Sequence, residues 1–229
     1  MDTYDTVLVI APHADDEVLG CGGLLADLAT AGSRVHVLYL SVDGMSHYGL
    51  TTPVTYEARV AEIDRVAKLL DFEYTIAYGD RQLNERLDTL PKRELVDLFQ
   101  EHLDRQRPDL LLLPSGDDYD QDHVATFSAA FAAARPIGRS FGKWLVPHVM
   151  SYEMSKLQWA NKPLALCTAF HDISDHLDTK LAALREYASQ HRPAPHIRSE
   201  ESVSALAVLR GAEIGVRYAE AFEVHRTLL

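Results

Sequence analysis

One imidazole and three carboxylates fall within five positions near the start of the chain. They are His13, Asp15, Asp16 and Glu17, in the run Ala11-Pro12-His13-Ala14-Asp15-Asp16-Glu17. Imidazole nitrogen and carboxylate oxygen are donors that a borderline ion such as zinc accepts, so His13 and Asp16 can turn toward one cation. Two ligands do not make a tight site, and a third is required. The segment Pro114-Ser115-Gly116-Asp117-Asp118-Tyr119-Asp120-Gln121-Asp122-His123 offers it. With His123 the set becomes two histidines and one aspartate, and an open fourth position would hold water, as in catalytic zinc sites. One zinc ion per chain is the expectation, with Fe2+ or another divalent ion as alternatives. The same residues admit a plainer reading. Acid-rich loops often cap helices or face solvent, and Asp122 suits the N-cap of the helix after it.

Both segments follow short apolar runs, and those runs say what must position them. Thr6-Val7-Leu8-Val9-Ile10-Ala11 has the continuous hydrophobicity of a strand buried on both faces of a parallel sheet. A loop is expected from His13 to Gly20, then a helix over 22–31 stopped by Gly32. Arg34 to Leu40 reads as a second strand. The stretch 43–54 reads as loop, and Tyr56 to Leu70 has helical spacing in Val60, Ile63, Val66, Ala67 and Leu70. A third strand over 73–77 and an irregular stretch over 79–89 precede a helix that has Pro91 in its first turn and runs to about Arg105. Asp109 to Leu113 is the fourth strand. A small-residue helix runs from Asp122 to about Arg135, and a strand covers 146–150. Late helices are expected over 175–189 and 202–211, on either side of a Pro/His-rich loop. Strand–helix alternation of this kind specifies an α/β class: a Rossmann-like three-layer fold with a mostly parallel, doubly wound sheet. Sites in such sheets lie outside the carboxyl ends of the strands, which is where both acidic segments fall. No convincing linker or repeat interrupts the chain, so residues 1–229 are expected to form a single domain.

Composition narrows the partners. Hydrophobic residues make up 47% of the 229 and charged residues 24%, enough for a core without disulfide staples. The formal charge is −12, and no basic stripe is present, which argues against nucleic acid and against anionic membrane surfaces. Two cysteines, Cys21 and Cys167, suit a reducing compartment. No basic n-region and no apolar run of roughly 20 residues is found, so a cytoplasmic protein without membrane insertion is expected. A homo-oligomer remains open.

Pro12-His13-Ala14-Asp15-Asp16-Glu17 resembles the PHxDDE signature of the PIG-L/LmbE-like zinc-dependent N-deacetylases. The resemblance continues through Arg59 and Glu62, through Asp122-His123, and through a closing region from Asp172 to Phe222. That region holds Asp172-Ile173-Ser174, Lys180, Ser189-Gln190, Arg198-Ser199, Arg210-Gly211 and Ala219-Glu220-Ala221-Phe222. It implies a hydrolase that removes an acetyl group from an amino sugar or an N-acetylglucosamine conjugate. Carried over by position, His13, Asp16 and His123 bind the metal, Asp15 is the general base and Arg59 helps hold substrate. The implied chemistry is attack of a metal-activated water on the acetamide, with Asp15 taking a proton from it and returning one to the amine. Glu17 is expected to anchor the loop or the next helix.

One position departs from the commonest pattern of that family, HxDH, because Asp120 stands where many members have histidine. An ionised Asp120 cannot donate to an oxyanion and would repel it. Either it is protonated, or it faces a substrate hydroxyl or a basic side chain; its part in catalysis stays open. His196 and Tyr119 are substitute donors. Asn84, Asp88 and Arg81 fall at the correct end of the sheet for sugar contacts, and Trp144, Trp159 and Tyr152 can stack on a ring. His47 can line a pocket. His36, His102 and His225 are read as structural, and Cys21 as a packing residue. Arg59 has a plainer reading as a helix arginine paired with Glu62 or Asp80. Three rivals remain: a two-His, one-carboxylate iron oxygenase, a receiver-like module, and a sugar-binding relative that has lost hydrolysis.

Overall fold

The run from Thr6 to Ala11 is strand β1 (Thr6–Ala11), buried at every residue as a central parallel strand must be. The computed structural model describes residues 4–42, 54–79, 82–137, 139–156 and 168–228. In chain order the remaining elements are α1 (Asp16–Ala31), β2 (Arg34–Tyr39), α2 (Tyr56–Leu70), β3 (Phe72–Ile76), α3 (Lys92–Gln106), β4 (Leu110–Leu113), α4 (Gln121–Ala133), β5 (His148–Tyr152), β6 (Ala169–Asp172), α5 (Leu177–Glu186), α6 (Glu200–Ile214) and β7 (Ala219–Thr227). Short 3-10 turns cover Leu87–Thr89 and Arg139–Phe141.

The seven strands form one sheet in the order β3-β2-β1-β4-β5-β7-β6. The first five are parallel, whereas β7 runs antiparallel to both β5 and β6. Alternate residues of each strand feed two cores. Val7 and Val9 pack with Leu25 of α1, Ile63 of α2, Leu184 of α5 and Val203 of α6. Leu8 and Ile10 pack with Phe99 of α3 and Ala130 of α4. The result is a three-layer α/β fold with helices on both faces. The chain order reverses between β1 and β4, which pair directly through Val9 and Leu112. Their carboxyl ends therefore open onto one crevice.

Helix α1 starts six residues before the expected position. It is broken at Cys21, whose φ of −144° and ψ of 22° are not helical. Glu220 on β7 covers the break: its carboxylate accepts the Gly23 and Leu24 N–H groups at 2.8 Å each, and Lys180 of α5 donates to it at 2.6 Å. The expected helix start at residue 22 thus marks the second segment of α1. Gly20 lies against the Tyr152 ring so closely that a Cβ there would come within 2.2 Å of Cδ2. Gly32 ends the helix in the left-handed region, with φ of 78°. Pro91 sits at the N-cap of α3, one position before the first turn. Strands β6 and β7 were not anticipated. Among the described residues, no helix is long and apolar enough to cross a membrane.

Candidate active site

His13 follows β1 directly, and His123 lies in the first turn of α4, which follows β4. Their ring centroids are 5.5 Å apart. Each ring is held from outside by one carboxylate and faces a shared one inside. His13 Nε2 lies 2.9 Å from Asp122 Oδ2, and its Nδ1 lies 3.5 Å from Asp16 Oδ2. His123 Nδ1 lies 3.1 Å from Asp118 Oδ2, and its Nε2 lies 3.2 Å from the same Asp16 oxygen. Outer carboxylates of this kind fix the orientation and tautomer of metal-ligating imidazoles. Asp16 is itself fixed by the His13 N–H, 2.9 Å away.

Asp122 is not the N-cap of α4. Asp120 takes that place, its side chain accepting the Asp122 N–H at 3.0 Å. The Asp122 carboxylate is wholly buried and accepts the Glu85 and Leu87 N–H groups at 2.7 Å each. It therefore ties His13 to the loop that contains Asn84.

The electrostatics suit a cation. Burial opposes charge on His13, but bonds to Asp122 and Asp16 outweigh it and raise the pKa to about 10. His123 is raised as well: burial works against it, and the Asp16 charge overcomes burial. Burial likewise opposes charge on Asp16, yet the two histidines hold it well below the usual carboxylate range. His13, Asp120 and His123 each offer a ligand atom within 4.8 Å of the others, and Asp16 lies between the two rings. Two imidazoles with one or two carboxylates are a donor set for zinc or another divalent ion, so the residues fit a metal.

Asp15 is fully buried beside these groups. Its φ of 121° lies where non-glycine residues seldom sit. Holding it there costs about 1–3 kcal/mol. Arg198 Nε approaches Asp15 Oδ2 to 2.8 Å as an ion pair, although neither carboxylate oxygen has a hydrogen-bond partner among the described residues. Burial raises the Asp15 pKa, and the Arg198 charge opposes that rise.

Asp120 faces a basic side chain. Lys156, only 8% exposed, brings Nζ to 3.5 Å from Asp120 Oδ2, 3.4 Å from Asp118 Oδ2 and 3.2 Å from His123 Nε2. Burial opposes ionisation of Asp120, but the charges of His123, His13 and Lys156 prevail and lower its pKa. The protonated alternative is thereby disfavoured.

Several expected contacts fall elsewhere. Arg59 is 3% exposed, and its guanidinium bonds to Glu62, Ser189 and the Ala14 carbonyl, so its hydrogen bonds run to the protein's own groups. Tyr152 is buried, with its hydroxyl on the Ile10 carbonyl, and cannot stack on a sugar. Trp144 bonds to Pro108 at the amino end of β4, away from the crevice. Asn84 lies half-buried beside Glu85. Asp88 lines a groove of about 490 Å3 together with Asp118 and Tyr119. His196 is exposed, and its Nδ1 accepts the Arg198 N–H at 3.1 Å, which leaves Nε2 as the protonated nitrogen. His47, Arg81 and Trp159, together with Cys167 and Asp80, lie outside the described residues. Cys21 is buried, with its thiol pKa pushed well up by burial, as befits a packing residue. Asp118 and Lys156 carried no sequence signal. Arg198 was visible only as part of the resemblance, without a role.

Comparison with known proteins agrees with this geometry. The family described as PIG-L, GlcNAc-PI de-N-acetylase, matches residues 8–134. A diacetylchitobiose deacetylase of Thermococcus kodakarensis is 27% identical over 231 aligned positions, covering 93% of this chain and 80% of the relative. Among solved structures, a conserved protein of Thermus thermophilus superposes with a TM-score of 0.76 at 29% identity, over 99% of this chain and 96% of the other. A 4-carboxy-2-hydroxymuconate hydratase of Pseudomonas putida superposes with a TM-score of 0.77 at 22% identity, covering 98% of each chain. That last likeness is one of fold alone.

Proposed function

The chain belongs to the PIG-L family, and from that premise we propose that it is a metal-dependent hydrolase that removes the N-acetyl group from an amino sugar or an N-acetylglucosamine-containing conjugate. The carrying observation is the pair of oppositely braced histidines around Asp16, with Asp15 buried beside them. The deacetylase relative supports the acyl-sugar class. In this reading His13, Asp16 and His123 hold one divalent ion, zinc by preference. Asp120 stays outside that set, bound to Lys156 and capping α4. A metal held there would lower the pKa of a water and stabilise negative charge on the acyl oxygen.

The chain's own residues do the rest. Asp15, with its pKa raised by burial, takes a proton from the attacking water and later returns it to the departing amine. Arg198 holds the Asp15 carboxylate by an ion pair and so limits its swing. His196 presents Nε2–H near this pair as a donor to the substrate. Asn84 and Asp88 offer polar contacts to sugar hydroxyls from the loop tied down by Asp122. Residues 1–229 act as one domain. The two cysteines, with Cys21 free and buried, accord with a reducing, cytoplasmic setting.

The 4-carboxy-2-hydroxymuconate hydratase neighbour shows that this fold also hosts a hydratase, so fold alone does not select the reaction. The test is a panel of N-acetylated sugars scored by acetate release, with and without added zinc. Release that depends on the metal supports the proposal. Asp15→Asn should keep the metal and lose about 10²- to 10⁴-fold in kcat, the usual share of a general base. Undiminished turnover in that variant removes Asp15 from the mechanism.

A further inference from the structure

A buried acid and a buried base that no step above uses both end on a single peptide unit. Glu17 is wholly buried, and its Oε2 accepts the Asp15 N–H at 3.2 Å. Arg59, also buried, donates from Nη2 to the Ala14 carbonyl at 2.6 Å. These are the two polar ends of the same amide, the one that joins Ala14 to Asp15. The next amide is fixed as well, because the Asp15 carbonyl accepts the Leu19 N–H at 2.9 Å and begins the α1 ladder. With both flanking planes held, the torsions at the Asp15 Cα are fixed, including its φ of 121°.

Each arm of the clamp has its own support. Tyr187 donates to Glu17 Oε1 at 2.5 Å, and the Tyr39 hydroxyl lies 3.1 Å from that of Tyr187. Arg59 Nη1 bonds to Glu62 and to Ser189 at 2.9 Å each, and Glu62 accepts the Ser189 N–H and hydroxyl at 2.7 Å each. The Arg59 guanidinium lies 5.8 Å from the Tyr187 ring centroid, so the two arms also touch. Buried carboxylates and guanidinium groups are costly to keep, and their convergence on one strained residue calls for a reason beyond packing.

We infer that Glu17 and Arg59 are positioning residues that grip the Ala14–Asp15 amide from both ends, hold Asp15 in its strained backbone conformation and thereby aim its carboxylate at the reacting water. Once the clamp is released, the Ala14–Asp15 amide can turn about its Cα–Cα axis and bring φ to negative values, and the Asp15 side chain loses the rigid backbone that sets its direction. The catalytic part of this inference rests on the proposed function; the backbone part does not.

The experiment pairs structure with kinetics on the full chain. Glu17→Met removes the acceptor for the Asp15 N–H, whereas Glu17→Gln keeps an oxygen there. Arg59→Lys keeps the charge beside Glu62 but shortens the reach to Ala14. Crystal structures of Glu17→Met and Arg59→Lys should show Asp15 φ relaxed to negative values. Metal-loaded Glu17→Met should lose about 10- to 100-fold in kcat, with KM and metal stoichiometry within about twofold of the parent. Glu17→Gln should recover most of that loss, a rescue that a merely structural role would not give in kcat alone. If Asp15 keeps φ near its present value in both variants, the clamp is refuted whatever the activity. If φ relaxes while kcat holds, the clamp exists but does not serve the reaction, and the inference fails. If Glu17→Met does not fold, Arg59→Lys and Glu17→Gln decide the matter by the same two readouts. If the parent enzyme hydrolyses no N-acetyl sugar, the functional proposal fails, and the torsion still judges the clamp.

Discussion

The described residues include two pairs of neighbouring histidines, buried except for the half-buried His13, and the pairs behave in opposite ways. His13 and His123 have ring centroids 5.5 Å apart; His36 on β2 and His102 on α3 have theirs 6.2 Å apart. Burial disfavours charge on all four. Around the first pair, Asp16, Asp118, Asp120 and Asp122 overcome burial and the opposing charge of Lys156 beside His123, and both histidines are raised. Around the second pair Arg105 adds to burial, and both are lowered, His102 to about 4. Residue type and spacing alone do not distinguish a metal centre from a core contact. What distinguishes them is the sign of the second layer: carboxylates that want a cation, or a guanidinium that repels one.

The largest expected effect comes from removing one ring of the first pair. His123→Ala should lose the metal after dialysis and should lose turnover beyond the deficit of Asp15→Asn. His102→Ala should keep a full equivalent of metal. Metal analysis of the two variants side by side checks this. A full equivalent in His123→Ala overturns the ligand assignment, and a loss in His102→Ala breaks the comparison itself.

The second pair should reveal itself in stability. Folding lowers the His102 pKa from 6.5 to about 4, so the unfolded chain binds the proton more readily between those values. The contribution is fully present above pH 6.5 and is lost as pH falls through 4, by about 3 kcal/mol in total. Metal-free His13 has the reverse sign, since its pKa rises to about 10 and its contribution fades as pH climbs from 6.5 toward 10. Urea unfolding of the parent and of His102→Gln at pH 7 and pH 4.5 tests the acid side. The variant should have the shallower fall; equal slopes would show that His102 titrates normally.

The sequence made one half of this contrast legible. His13 and Asp16 come just after β1, and His123 opens the helix that follows β4, and apolar runs reveal where those strands end. The parallel core was legible for the same reason, because Val7 to Ile10 and Leu110 to Leu113 are continuous hydrophobic runs. The antiparallel edge was not. β7 breaks the alternation of a strand, with Ala221-Phe222 both apolar and His225-Arg226-Thr227 all polar, and β6 is three half-buried residues and one exposed residue that become a strand by pairing with it. The bracing residues were hidden too. Asp118 is one acid among several in its loop, and Lys156 reaches His123 from beyond β5. The pairing of Arg59 with Glu62 was legible from their spacing on α2, but its burial was not, because helical spacing does not tell which arginine turns inward. Its burial depends on Ser189 and Glu62 closing over it from α2 and from beyond α5.

The smallest effect is the most informative about where the metal set ends. Asp120 lies within ligand reach of His13 and His123, as an inner carboxylate would, yet it caps α4 and pairs with Lys156, as an outer one would. Its lowered pKa means that it carries a charge and no proton to donate. Asp120→Asn keeps the shape and preserves the cap, since asparagine is as good as aspartate at that position. It removes the charge opposite Lys156 and adds a donor. If Asp120 belongs with Asp118 and Asp122, the variant should keep its metal, hold kcat within about threefold and shift KM for the preferred sugar, because the ammonium, left paired with Asp118 alone, presents more positive charge to the substrate. If Asp120 belongs with Asp16, metal stoichiometry should fall with the charge. If it moves a proton, kcat should drop on the scale of Asp15→Asn, and one limb of the pH–rate profile should vanish. Only the first outcome is compatible with three ligands and a lysine-bound fourth acid. Zinc titration with the pH profile of kcat in Asp120→Asn separates the three.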